Sequence, residues 1–376
     1  MRLKSFNVLE HHIKRNANTW KKLLDTDYLP SIDTIPRRIR KSDIQGLRHM
    51  NMKFIHKLHR NKALNIDIAS NGFLVVGIDA HETFCSRKRC CRECKKRRRK
   101  VNGKWVYEYF HSYVIAQIVL CSIPVIIDIE PINPGEGELT AAKRLIKRIL
   151  KEQGRMVDVF TFDALYLDSK LLNMLEKKNK YWIAVLKNKN REAYQEVDRL
   201  LPETKSVKTE INKRDVTLYD MHDLVGWDNL EKTFRAVVSD EEWYEWVLNP
   251  DREKVRVKKS SHWRWLTNMP SVYKAEIVHK LGHGRWNEED RGFNDLANNI
   301  NFDHPYHHHP VALMAMLWII SISFNLSYSF YLRNLKPEYR KAKIQNRSQL
   351  ALSIIETFNQ LTETIFTIPP LLAQPP

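Results

Sequence analysis

The stretch FLVVGID at residues 73–79 decides the predicted fold, because it is a continuous apolar run that ends on an acid. Such a run is typical of a strand that is buried on both faces. DVFTFDALY at residues 158–166 has the same form and places Asp163 after its apolar residues. Between them, residues 105–120 and 125–132 predict two more strands, and residues 137–153 predict an amphipathic helix.

The order of predicted elements is β-β-β-α-β-α-β-α, with the last strand at YWIAVLK, residues 181–187. Three consecutive strands form an antiparallel meander, and the helix that follows makes a right-handed crossover to the fourth strand. If the fourth strand lies beside the first, the two run parallel. Asp79 and Asp163 would then sit side by side at the carboxyl edge of the sheet, where ligands usually bind.

The chain has 376 residues, enough for two or three domains, and a formal net charge of +18. This charge predicts a polyanionic partner, and nucleic acid is a better expectation than an anionic membrane surface. The first residues lack the pattern of a secretory signal. Residues 310–332 are long enough to span a bilayer, but their four serines and one asparagine favour a buried helix, so we expect no membrane partner.

A third carboxylate lies in LGHGRWNEEDRGFNDLANN, residues 281–299, which predicts a helix from about residue 285 to residue 300. Glu289 falls on the apolar face of that helix, where a carboxylate needs a cation or hydrogen-bond donors. An intrahelical pair with Arg285 would satisfy it. Convergence with Asp79 and Asp163 would instead make a hard-oxygen site for Mg²⁺ or Mn²⁺.

Taken in order, these three stretches resemble those of bacterial insertion-sequence transposases, which carry a DDE triad on an RNase H-like core. GIDAHE (residues 77–82) is similar to the first motif, FDALY (residues 162–166) to the second, and residues 281–299 to the glutamate helix. The resemblance covers residues 30–335. It implies that Asp79, Asp163 and Glu289 are catalytic and hold two Mg²⁺ or Mn²⁺ ions.

The resemblance also implies an α/β fold: an RNase H-like mixed five-stranded sheet flanked by helices. The residues themselves predict an inserted β-rich subdomain and an N-terminal helical region. The helical region, residues 1–70, could bind DNA or cap the next domain. Residues 71–204 and 271–335 would form the two parts of the core, and the tryptophan-rich insertion between them, residues 205–270, would contact DNA. A C-terminal helix and a Pro-rich tail are predicted for residues 336–376.

The implied activity is metal-dependent DNA cleavage and strand transfer, that is, cut-and-paste transposition of an insertion sequence. The partners would be double-stranded DNA of the terminal inverted repeats and of the target, with a homodimer in the DNA complex and a cytoplasmic, nucleoid-associated location. A nuclease without strand transfer and a catalytically dead DNA-binding derivative are the alternatives. The chain departs from the family signature at Gly282, where a tyrosine is usual, and at Leu296 and Ala297, where a lysine is usual.

The run CSRKRCCRECKKRRRK at residues 85–100 combines four cysteines with a basic cluster. The cysteines could be reduced thiols on a basic loop or ligands of a structural zinc ion; they are Cys85, Cys90, Cys91 and Cys94. The basic residues suit contacts with a phosphate backbone. The predicted DNA contacts are Lys95, Lys96, Arg97, Arg98, Arg99 and Arg285.

Overall fold

The computed structural model describes residues 6–66, 70–227, 229–248, 253–285, 296, 302–304 and 309–334. The chain divides into two compact units. One unit contains Met1–Leu47 and Ala297–Pro376, and the other contains Arg48–Leu296. The two carboxylates of the first two motifs belong to the second unit.

Helices and strands are numbered in chain order over the described residues. The helices are α1 (Phe6–Arg15), α2 (Ala17–Leu24), α3 (Thr34–Ile39), α4 (Ile44–Arg60), α5 (Glu138–Gln153), α6 (Ser169–Lys177), α7 (Glu192–Leu200), α8 (Ala275–His283) and α9 (Pro310–Ser329). The strands are β1 (Val75–Ser86), β2 (Lys95–Val101), β3 (Lys104–Val119), β4 (Val125–Pro131), β5 (Val159–Phe162), β6 (Tyr181–Val185), β7 (Ser206–Ile211), β8 (Arg214–Leu224), β9 (Phe234–Leu248) and β10 (Lys254–Thr267).

The unit from Arg48 to Leu296 is built on one large, mostly antiparallel sheet flanked by helices, so the chain is mixed α/β. The ten strands follow the order β2-β3-β1-β5-β6-β10-β9-β8-β7, and β4 pairs with β3. Only β1 with β5 and β5 with β6 are parallel pairs among the described strands. The sheet therefore has twice the five strands predicted.

The predicted parallel pairing of the two motif strands is confirmed. β1 and β5 run in register from Val75 opposite Val159 to Ile78 opposite Phe162. Asp79 and Asp163 follow these last partners directly. Asp79, however, does not end its strand as predicted, because β1 continues to Ser86 as the antiparallel partner of β3.

The strands predicted over residues 205–270 form, but they extend the main sheet. β10 pairs with β6 from Trp265 opposite Val185 to Thr267 opposite Ile183, and β9, β8 and β7 follow in an antiparallel series. An unpaired edge of β6 would expose a row of backbone hydrogen-bonding groups, and β10 satisfies them. The insertion is thus joined to the core by continuous backbone hydrogen bonding.

The basic segment predicted as a loop is largely a strand. Lys95–Val101 forms β2 and pairs with β3 as a hairpin, from Val101 opposite Lys104 to Lys95 opposite Phe110. Asn102 and Gly103 make the turn with positive φ angles of 48° and 78°. An Asn-Gly pair suits this two-residue hairpin turn because both of its positions need positive φ.

Buried ion pairs attach α4 and α5 to β4. Asp128 is 2 % exposed and accepts hydrogen bonds from Arg48 at 3.0 Å and Arg148 at 2.6 Å. Glu130 accepts from Arg148 and Arg144, both at 2.8 Å. Asp128 and Glu130 are therefore both paired with arginines, and the pair of Arg48 with Asp128 connects α4 to the sheet.

The other unit is helical in its described residues, in line with the helical region predicted at the N-terminus. It contains α1 to α3, the first turn of α4, and α9, which contacts α3. Pro310–Asn334 is the one described helical stretch long and apolar enough to cross a membrane, and 56 % of its apolar window is buried in the protein. Length and composition alone are weak evidence for a membrane span.

The Asp128 network gives the first testable prediction. Asp128→Asn should lower the free energy of unfolding by about 3–5 kcal/mol, because it leaves the buried Arg48 guanidinium without its carboxylate and removes one of the two acids that pair with Arg148. Urea denaturation of the whole protein measures the change. The matched control is Glu152→Gln on α5, an exposed residue whose substitution should stay within about 0.5 kcal/mol. Equal stability of the two variants would contradict the prediction.

Candidate functional site

Two carboxylates lie where β1 and β5 stop pairing, and each has a cationic partner. Asp79 Oδ2 accepts a hydrogen bond from Arg285 Nη1 at 2.8 Å. Asp163 Oδ1 accepts from Lys187 Nζ at 3.0 Å and from the Ala164 backbone N–H at 2.7 Å. The side chains of Asp79 and Asp163 are 21 % and 35 % exposed. The edge thus presents two partly accessible acids.

Asp163 is held in its charged form. Burial by itself would raise the pKa of Asp163, but the Ala164 N–H, the Lys187 ammonium and then the Arg285 guanidinium outweigh it, and the pKa lies below its ordinary value. Arg285 therefore acts on both carboxylates, since it also donates to Asp79. The edge thus pairs two acids with two cations, and the oxygens of such acids are ligands suited to hard divalent ions.

Arg285, predicted as a DNA contact, lies inside the protein, with only 4 % of its side chain exposed. It follows α8, which ends at His283 and is capped by Gly284. Glu289 and most of the helix predicted around it fall outside the described residues. Leu296, predicted on the apolar face of that helix, is fully buried.

A buried carboxylate on β9 anchors α8. Glu241 is 1 % exposed, and its Oε1 lies 3.0 Å from His279 Nε2 and 2.6 Å from His283 Nε2. Arg214 donates to its other oxygen at 3.0 Å. Burial would raise the pKa of Glu241, but hydrogen bonds from His279 and His283 lead the effects that lower it strongly. The last turn of α8, two residues before Arg285, is therefore fixed to β9.

Sequence reasoning missed the Glu241 anchor. Its only local signal is the spacing of His279 and His283, which places both histidines on one face of a helix. Their partner lies about 40 residues earlier, so only the fold brings them together. These three residues, like Cys91, Cys94 and His111, offer donor atoms within 4.8 Å of one another.

Gly282 stands where a tyrosine is usual in the family that the sequence resembles, and the glycine has a structural reason. A Cβ added to Gly282 would lie 2.6–2.8 Å from three ring atoms of Trp265, which is 1 % exposed. No real Cβ makes contacts this short, so a tyrosine at this position would displace Trp265. The close packing of α8 on β10 therefore requires glycine here.

The predicted basic cluster divides between the two faces of β2, because side chains alternate along a strand. Arg97 points to acids: it donates to Glu82 at 2.6 Å and to buried Glu108 at 3.0 Å. The hydrogen bond to Glu82, followed by the one to Glu108, raises the pKa of Arg97. In turn, the hydrogen bond from Arg97 is the main effect that lowers the pKa of Glu108. Arg99 lies farther from Glu108, at 3.9 Å.

The opposite face of this hairpin is cationic, aromatic and exposed. Lys96 lies 5.2 Å from the ring centroid of Tyr107, and Arg98 lies 4.7 Å from that of Trp105. Trp105 is 58 % exposed and Tyr107 is 50 % exposed. Lys95 belongs to the other face, near Phe110. The face of Lys96 and Arg98 is named the β2–β3 face below.

The β9–β10 hairpin presents a second face of this kind. Trp246 is paired opposite Arg256, and Tyr244 opposite Lys258. Trp246 is 66 % exposed, and the Arg256 guanidinium lies 4.2 Å from the Tyr244 ring centroid. Exposed aromatic rings beside cations can stack on nucleobases while the cations meet phosphates.

The four predicted zinc cysteines do not converge. Cys91 and Cys94 approach each other and His111, whereas Cys85 and Cys90 are exposed. Burial first, and the Cys91 thiol after it, raise the pKa of Cys94 to about 11. His111 was not predicted, because it lies on β3, 17 residues after Cys94.

No family model matches the chain, and no curated protein matches it.

The Glu241 anchor gives the second prediction. Glu241→Gln should lower the free energy of unfolding by about 3 kcal/mol at pH 7, because buried His279, partly buried His283 and the more exposed Arg214 all lose a charged acceptor. Since the folded-state pKa is depressed, this stabilisation is complete above the unfolded value of about 4.3 and is lost as pH falls below it. The difference between wild type and variant should therefore shrink below about pH 4.

Denaturation at a series of pH values measures this difference. The neighbouring Glu242→Gln is the matched control, since Glu242 forms an exposed pair with Lys258 and should change stability by less than about 1 kcal/mol at every pH. A Glu241→Gln variant as stable as this control would show that the anchor contributes nothing.

Proposed function

We propose that the protein is a DDE-type DNA transposase that cleaves and joins DNA with divalent metal ions. The observation that carries the proposal is the placement of Asp79 and Asp163 after neighbouring parallel strands. In the sequence, the motifs around these acids occur in the order of the family. The fold supplies the juxtaposition that two-carboxylate metal chemistry needs.

The strand arrangement supports an RNase H-like core. Within the larger sheet, five strands follow the order β4-β3-β1-β5-β6. β1, β3 and β4 form the antiparallel part, and β5 and β6 continue it in parallel. This is the meander followed by parallel neighbours that the resemblance implies. The insertion β7–β10 then leads to α8 and the segment that contains Glu289.

The residues at the edge fit hard divalent ions. Asp79 and Asp163 would hold Mg²⁺ or Mn²⁺, with Glu289 completing the set as the resemblance implies. Two such ions, when bound, activate a water or a DNA 3′-hydroxyl and stabilise the departing oxygen. Because the pKa of Asp163 is lowered, its carboxylate is already charged and need not lose a proton before it binds a metal ion. Lys187 and Arg285 balance the acids before the ions arrive.

Lys187 has a second role in this proposal. Its side chain is 55 % exposed and lies on the segment after β6, beside Asp163. Once ions neutralise the carboxylate, the ammonium can turn to a phosphate of the bound DNA. Lys187 would thereby replace the lysine that the family signature places where this chain has Leu296 and Ala297. Arg285 is assigned to orienting Asp79, because its side chain is buried.

The cations of the two cationic, aromatic faces would contact phosphates of the bound DNA. The β2–β3 face lies on a hairpin whose strand β3 pairs with β1, the strand that carries Asp79, and the β9–β10 face lies on the insertion. The partners would be terminal inverted repeats and target DNA. Joining two ends requires two active sites, so a homodimer would act in the complex, in the cytoplasm at the nucleoid.

The third prediction tests the chemistry. Asp79→Asn and Asp163→Asn should each lower Mg²⁺-dependent strand transfer at least about a hundredfold, because each removes a charged metal ligand worth several kcal/mol. The substrate is DNA carrying the inverted repeats that flank the gene, and products are separated on denaturing gels. Asp215→Asn, an exposed carboxylate on β8, is the matched control and should retain activity.

The products also separate the two enzymatic functions. Joined strands support a transposase, whereas nicks without joined strands would leave only a nuclease. Full activity in both active-site variants would refute the proposal, and metal-independent DNA binding without cleavage by the wild type would favour the dead derivative.

The fourth prediction tests the β2–β3 face. The double variant Lys96→Ala/Arg98→Ala should weaken binding to any duplex and reduce the slope of log affinity against log salt by about 2, since each lost phosphate contact removes about 0.9. Lys147→Ala/Lys151→Ala on α5 removes the same charge from exposed positions. Fluorescence anisotropy at several salt concentrations measures both. An equal loss in the two variants would argue against a specific face.

A further inference from the structure

We propose that Cys91, Cys94 and His111 form a zinc site that joins the turn between β1 and β2 to β3. The proposal does not depend on the transposase activity. It concerns three side chains from two separate segments, with chemistry that zinc prefers: two thiols and an imidazole.

The spacing of the donor atoms matches tetrahedral zinc. The two Sγ atoms lie 3.6 Å apart, and each lies 3.4 Å from His111 Nε2. Zinc bonds of about 2.3 Å to sulfur and about 2.0 Å to nitrogen place two sulfurs about 3.8 Å apart, and sulfur and nitrogen about 3.5 Å apart. A metal ion can therefore enter with shifts of only a few tenths of an ångström.

The local backbone places Cys91 and Cys94 in one turn and directs an N–H at the Cys94 sulfur. The Cys94 backbone N–H donates to Cys91 O at 3.1 Å, which closes the four-residue turn, and the Cys91 N–H donates to Cys94 Sγ at 3.2 Å. An N–H directed at sulfur favours the thiolate that metal binding requires. His111 is held by the β1–β3 pairing, opposite Thr83.

Two other readings fit the geometry less well. A disulfide needs sulfurs about 2.05 Å apart, and the histidine between the thiols has no place in it. The remaining cysteines of the run do not join the group, because Cys85 and Cys90 offer no sulfur within 4.8 Å of all three donors among the described residues. Three protein ligands leave the fourth tetrahedral position to solvent.

Glu241 and the two histidines of α8 form a second group of possible metal ligands, but their contacts differ from those of the cysteine group. Its contacts of 2.6 Å and 3.0 Å are hydrogen bonds to one oxygen, and Arg214 already occupies the other oxygen. A dication there would face a guanidinium directly. The site of Cys91, Cys94 and His111 instead brings three donor atoms to mutual distances of 3.4–3.6 Å.

The experiment uses the full chain, purified without chelator, with zinc measured by plasma mass spectrometry. The wild type should carry about one zinc per chain, and Cys91→Ser, Cys94→Ser and His111→Gln should each lower this at least about tenfold. Cys85→Ser and Cys90→Ser are the matched controls and should retain the metal. Replacement of zinc by Co²⁺ should give thiolate-to-cobalt absorption in the wild type and in both controls.

X-ray absorption at the zinc edge is measured on the wild type, so it does not depend on whether a variant folds. The zinc coordination shell should contain two sulfur atoms together with nitrogen and oxygen atoms. Wild-type protein without zinc, a shell of four sulfurs, or zinc loss in a control equal to that in Cys91→Ser would each overturn the three-ligand site.

Discussion

The parallel pairing of β1 with β5 is the constraint on which the rest of the structure depends. It brings together two acids that are 84 residues apart, Asp79 and Asp163, and it needs only four pairs of apolar or small residues in register. A shift of one residue along either strand would turn its side chains to the opposite face of the sheet. The buried apolar sets on both strands make that shift costly, so the position of the acids follows from packing.

Electrostatics explains how a carboxylate edge persists in a chain with a net charge of +18. Each acid of the edge has a local cation, and the pKa of Asp163 is lowered by its neighbours. Most other buried acids are also paired, as Asp128, Glu108 and Glu241 illustrate. The surplus positive charge is left on exposed strands such as β2, where it can meet a polyanion.

The sequence predicted the elements of the core and the pairing of the motif strands, because these depend on local hydrophobic patterns and on general topology. It did not predict β2, although the Asn-Gly pair at residues 102–103 carried the signal, since the surrounding positive charge suggested a loop. Three features depend on tertiary contacts: the pairing of β10 with β6, the Glu241 anchor, and the approach of His111 to the two cysteines. No spacing along the chain encodes them.

The continuity of the sheet from β6 into β10 has a mechanical consequence. No flexible linker separates the β9–β10 hairpin from the strands beside Asp163, so backbone hydrogen bonds transmit any load between them. If the protein binds and cleaves DNA as proposed, a duplex held on that hairpin would meet the carboxylates at a set number of base pairs from the hairpin. The distance between the hairpin and the carboxylates would then set the position of cleavage. The bases at the cleavage site would not need to be recognised.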